Sequence, residues 1–115
     1  MNDQMTLDDA IREGERLRDE GIKTSLDHAE SNEPGWGDEA FRLFEIFLKA
    51  IRTDFQAEEA RSWAEDHGLN PPPDKRAWGG VIRKAVNRGL IQRVGFQLAN
   101  DPKSHRAPST VWRKI

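Results

Sequence analysis

Ten Lys and Arg side chains lie between Lys75 and Lys114 with Asp101 as the single acid among them, so the last forty-one residues carry a net charge of +9. Residues 1 to 74 hold the other 8 basic and 19 acidic side chains, a net of −11, and the formal total of −2 conceals a polarised chain. The chemistry open to such a cluster is electrostatic. Lys and Arg neutralise phosphates and release condensed counterions, the main sequence-independent term in nucleic-acid affinity. The competing reading is ordinary solvated charge on a helix and a hairpin.

Covalent chemistry has little to work with. His28, His67 and His105 stand in three separate segments without metal-ligand spacing, and Asp66-His67 reads as the end of a helix rather than a catalytic pair. There is no phosphate-cradling GxxxxGK[ST] and no nucleophile-elbow pattern, and the carboxylates a nuclease would gather on a metal lie upstream of the basic cluster. The reading is therefore non-enzymatic, with no cofactor and no metal. Cysteine is absent, so neither disulfides nor thiolate zinc stabilise the fold. The apolar run around Phe41 to Ile51 is interrupted by Arg42, Glu45 and Lys49, which argues against a membrane span, and the acidic start MNDQMTLDDAIREGE has no signal-peptide pattern, so the expected compartment is the cytoplasm.

The elements that must position the basic residues follow from periodicity. Residues 7 to 20 place Leu7, Ala10, Ile11 and Leu17 at helical spacing with Gly14 interrupting the stripe, and after Gly21 a short second helix is expected through His28. Asn32, Pro34, Gly35 and Gly37 then set a boundary, giving an acidic helical extension over 1–37 and a main domain over 38–115. The main domain opens with Asp38 as N-cap of a core helix carrying Phe41, Phe44, Leu48 and Ile51. A short extended link at 53–55 leads to a helix over 57–66 that Gly68 ends, and Pro71, Pro72 and Pro73 make a stiff turn. Asp74 caps a helix over Lys75–Arg88 whose Trp78, Val81, Ile82 and Ala85 face inward, with Gly89 as the stop. Then the period changes to two: Val94, Phe96 and Leu98 alternate with Arg93, Gly95 and Gln97, and STVWRKI pairs with them across the loop ANDPKSHRAP.

Helix, short strand, helix, turn, helix, strand, loop, strand is the element order of a winged helix-turn-helix domain, and residues 38 to 115 resemble that family throughout. The stretch DKRAWGGVIRKAVNRGLIQRVGF, in which a basic helix runs directly into the first wing strand, is similar to small winged-helix proteins carried by phages and prophages. The implied fold is mainly α with a small β-hairpin wing, preceded by an N-terminal helical extension. About 100° per residue turns Arg76, Gly80, Arg83 and Asn87 away from the apolar side of the third helix. The resemblance implies that this face, about 75–88, enters the major groove of duplex DNA, with Arg76, Arg83 and Asn87 toward base edges and Lys75 and Lys84 on phosphates. Asn87 alternatively closes the helix end. Gly79-Gly80 costs about 1 kcal/mol per glycine in a helix, and close approach of the backbone to DNA would explain it. The wing, about 99–108, carries Lys103, His105 and Arg106 toward the minor groove or backbone, and Arg93, Arg113 and Lys114 extend the charged surface.

Trp63, Trp78 and Trp112 read as core rather than as stacking platforms, and Trp36, between glycines, as the residue that packs the N-terminal segment onto the domain. Two uses stay open for the acidic extension: a solvated segment, or a homodimer or partner interface through Leu7, Ile11, Leu17 and Ile22. Two functions stay open for the chain. One is a double-stranded DNA-binding regulator or replication or recombination accessory factor; the other is a protein-interaction module on the same scaffold, docking on a host or phage enzyme complex.

Overall fold

A computed structural model describes residues 7–98 and 108–115, and within them the chain is mainly helical with one two-stranded antiparallel hairpin. The four α-helices among these residues are α1 (Leu7–Asn32), α2 (Trp36–Ala50), α3 (Ala57–Asp66) and α4 (Trp78–Asn87); the strands are β1 (Ile91–Leu98) and β2 (Pro108–Lys114).

The two helices expected on either side of Gly21 are instead one continuous element of 26 residues, which also runs through Gly14. Its C-terminal half is held by packing, which decides helix formation more strongly than glycine's unfavourable propensity does. Ser25 and Ala29 are buried and Ile22 and Leu26 half-buried, whereas on the outer side Arg16 bridges Glu13 and Glu20 one turn away in either direction. A Cβ at Gly21 would lie 3.0 Å from the Arg76 guanidinium, so the two stand side by side.

The stretch read as a domain boundary is the tight turn between α1 and α2. Gly35 takes a left-handed conformation, φ 85°, and the Glu30 carboxylate accepts hydrogen bonds from the N–H groups of Gly35 and Gly37 at 2.9 and 2.7 Å. Because Glu30 satisfies these donors from α1, the helix starts at Trp36, two residues before the expected cap; Asp38 and Glu39 occupy its first turn, where the dipole favours acids. Ala40, Phe41, Leu43, Phe44, Phe47 and Leu48 of α2 are buried and form the centre of the core.

Around this helix the local signals act as read. Phe55 makes an antiparallel bridge with Trp112, each N–H donating to the other's carbonyl at 3.0 and 2.8 Å. In α3 the Glu59 carboxylate reaches back to accept from Gln56 N–H at 2.9 Å, and Gly68 closes the helix at φ 102°. Asp74 accepts from Arg76 N–H at 2.9 Å, but Lys75–Ala77 form a 3-10 turn ahead of α4, so the expected single helix from Lys75 is two elements. Gly89, φ 71°, ends α4.

In the hairpin, Ile91 pairs with Lys114 and Arg93 with Trp112, but the next pairs are Gly95 with Val111 and Phe96 with Thr110. Val94 is thus an extra residue, a β-bulge that shifts the phase of the strand. The simple alternation read from the sequence fails here: Arg93 and Phe96 share one side, and the Arg93 guanidinium stands 5.6 Å from the Phe96 ring centre.

Asp74 ties three segments together, and it carries a pH dependence. Hydrogen bonds from the Arg76 side chain, then from the Arg76 N–H, with a weaker one from Ser25, lower its carboxyl from the ordinary 3.8 to about 2. A depressed carboxylate stabilises the fold above its unfolded value and loses that contribution as pH falls through its folded value. Asp74→Ala is expected to cost about 1 kcal/mol at neutral pH as a lost cap. Urea titrations at several pH values should show the gap from the parent protein narrowing between pH 3.8 and about 2.

Candidate nucleic-acid interface

The inward face of α4 is as expected: Trp78, Val81, Ile82 and Ala85 are buried. The opposite side is not bare. A Cβ at Gly79 would lie 2.8 Å from Ile22 Cδ1 and one at Gly80 3.0 Å from Leu26 Cδ2, so the two glycines make room for α1. One turn further on, Arg83 Nη2 meets Asp19 Oδ1 of α1 at 2.8 Å. The account of Gly79-Gly80 as an opening for DNA is corrected accordingly: their missing side chains are filled by a neighbouring helix of the same chain. Ile22, read as part of an interface with another molecule, is occupied in the same contact, whereas Leu17 remains 55% exposed.

The basic residues separate into groups. Arg76 folds back on Asp74, with Nη2–Oδ2 2.7 Å, and lies against Gly21. Lys84 points toward α2, its Nζ 4.5 Å above the Phe41 ring, where Arg88 joins it at 4.9 Å. Asn87 is exposed at the end of α4. Arg113 pairs with Asp54 at 2.9 Å, which holds the Asp54 carboxyl below its usual range chiefly through that hydrogen bond, and Lys114 Nζ donates to the Leu48 and Ile51 carbonyls at 2.8 and 3.0 Å. Arg113 and Lys114 therefore do not extend the expected surface; Lys114 closes the C-terminal end of α2, where a cation meets unpaired carbonyls and the negative end of the dipole. Lys103, His105 and Arg106 lie outside the described residues.

What the structure does bring together is a groove of about 560 Å³ between α1, the 3-10 turn, α4 and the hairpin. Among the described residues Arg18, Lys75, Arg83 and Arg93 line it, and Trp78, Ile82, Val86 and Trp112 give it an apolar floor. Lys75, Arg83 and Arg93 are among the residues expected to bind; Arg18 is not, since it stands in the acidic segment. Its signal is the i, i+4 spacing to Ile22, which puts it on the docked side of α1. The Arg83–Asp19 pair is half-exposed on both sides. Such pairs contribute about 0–1 kcal/mol, so a phosphate can take the place of Asp19 at little cost.

Elsewhere the polar side chains have structural uses. His67 stacks on Trp63 with ring centres 3.9 Å apart and its Nδ1 lies 2.7 Å from Trp63 O. Among the described residues no three His, Cys, Asp or Glu side chains are grouped to hold a metal, and no helix is long and apolar enough to cross a membrane. Compared with known proteins, the chain matches no protein family, no curated protein and no solved structure.

Proposed function

We propose that this chain is a non-enzymatic, double-stranded DNA-binding protein with a winged-helix domain over residues 38–115, acting as a regulator or as a replication or recombination accessory factor. The order α2, Phe55 bridge, α3, α4, β1, β2 supports the winged-helix assignment. The observation that carries the function is the groove beside α4, along which Arg18, Lys75, Arg83 and Arg93 stand together among the described residues. On this reading the contact surface lies on the side shared by Arg83, the hairpin and Arg18 and not over Gly79 and Gly80, against which α1 packs. A phosphodiester strand running along that rim exchanges condensed counterions for guanidinium and ammonium groups.

The test is fluorescence anisotropy on a random duplex over a series of salt concentrations. If all four lining cations neutralise phosphates, log affinity falls linearly with log salt with a slope of about −3 to −4. Salt-independent binding, or none at low salt, overturns the reading. A protein-docking role has one observation in its favour: α1 packs over Gly79 and Gly80 of α4, and Gly14 to Glu20 before that contact stand exposed, Leu17 included. On that alternative, charge reversal at Arg83 leaves DNA binding unchanged and abolishes association with a protein partner.

A further inference from the structure

Four of the five phenylalanines, Phe41, Phe44, Phe47 and Phe55, are at most 7% exposed, whereas Phe96 is 62% exposed on the hairpin. An aromatic ring left in water on a small domain forgoes the stabilisation that burial supplies to the other four. The surroundings of Phe96 are also specific. The Val94 bulge turns it to the side of the ribbon that carries Arg93, and it pairs across the strands with Thr110. Arg93 and Thr110 both line the cationic groove, so the ring stands beside that groove and not on the opposite side of the hairpin. Without the bulge, the three-residue spacing from Arg93 would place them on opposite sides.

We infer that Phe96, flanked by Arg93, is a stacking site for an unpaired nucleobase, and that the preferred ligand is DNA in which a duplex adjoins an unpaired nucleotide, as at a gap, flap or fork. This inference rests on the DNA-binding reading and narrows its substrate class. The groove supplies phosphate neutralisation, which is indifferent to pairing. The ring supplies a π-face that a base can cover only when it is free of its own stack, and the guanidinium over the ring adds a cation to the same platform. A fully paired duplex gains from the groove alone.

The experiment uses the whole chain and two 20-base-pair probes, one fully paired and one interrupted by a three-nucleotide single-stranded gap carrying 2-aminopurine. The gapped probe is expected to bind about tenfold more tightly, equivalent to about 1.4 kcal/mol, with a change in 2-aminopurine fluorescence on binding. Phe96→Ala is expected to erase the preference and the fluorescence change while moving duplex affinity less than twofold; Phe96→Trp retains both. Equal affinity for the two probes, or a preference that survives Phe96→Ala, overturns the stacking site and leaves the duplex reading standing. So does a Phe96→Ala variant that turns a dimer into a monomer in sedimentation without altering the gap preference, since a second copy then covers the ring. Failure to bind either probe at low salt overturns both.

Discussion

Trp36→Ala is expected to remove about 3–5 kcal/mol of stability, the range for truncating a buried aromatic side chain, against a total that for domains of this size is about 5–15 kcal/mol. Trp36 is 2% exposed and opens α2 directly after the Gly35 turn. Its ring meets Trp78 of α4 edge-on, with centres 5.9 Å apart and planes at 85°, a favoured aromatic arrangement. Its Nε1 donates to Asn70 O at 2.9 Å, which fastens the segment after α3. One side chain thus connects the α1–α2 turn, the approach to the proline turn and the helix that walls the groove. Truncation leaves a cavity and an unpaired carbonyl, and neither can be closed by a local shift because three elements meet there. Trp36→Phe separates the two contributions: it keeps most of the packing and loses the hydrogen bond, for an expected cost of about 1–2 kcal/mol. Urea denaturation followed by far-UV circular dichroism reads both. A Trp36→Ala unfolding free energy within about 0.5 kcal/mol of the parent would mean that the α1–α2 corner is not part of the cooperative core.

The parts of this fold that sequence reasoning reached are those decided by residues within one turn of each other. Asp74 as a cap, Gly68 and Gly89 as stops, and the inward Trp78, Val81, Ile82 and Ala85 are local statements, and each holds. The failures all need a distant partner. Gly21 reads as a break between two helices because its propensity is poor, yet α1 continues because Ile22 and Leu26 dock on α4. Gly79-Gly80 signals a close approach in either account, and nothing in the pair itself says whether the approaching group is DNA or another helix. The Val94 bulge is invisible to alternation within β1, since it exists only relative to the register of β2. Lys114 reads as one more cation on a basic strand until the carbonyl end of α2 stands beside it. For the candidate site, three of the four lining cations were legible from the charge cluster, and the fourth, Arg18, depends on how α1 docks.

That dependence gives the binding prediction its form. Arg83→Glu combined with Arg93→Glu is expected to weaken duplex binding on the order of 100-fold at 0.1 M salt. Each lost phosphate contact removes about 0.9 from the log–log slope, so two contacts referred to 1 M salt amount to about 1.8 log units at 0.1 M, and the new carboxylates repel the strand further. The slope itself should fall in magnitude by about 2. Folding is expected to change little, because Arg83 is about half-exposed in its pair with Asp19 and Arg93 is exposed over Phe96. Net charge alone cannot explain such a loss if the same change is made outside the groove: Arg88→Glu with Arg113→Glu alters the total equally but touches the Phe41 ring and Asp54 instead. That control should weaken binding less than about fivefold. In the opposite direction, Asp19→Asn frees Arg83 from its internal partner and is expected to tighten binding a few-fold, because the arginine no longer exchanges one anion for another. If the two double variants lose affinity equally, the interaction is with the charge of the whole C-terminal third and the groove has no special part in it.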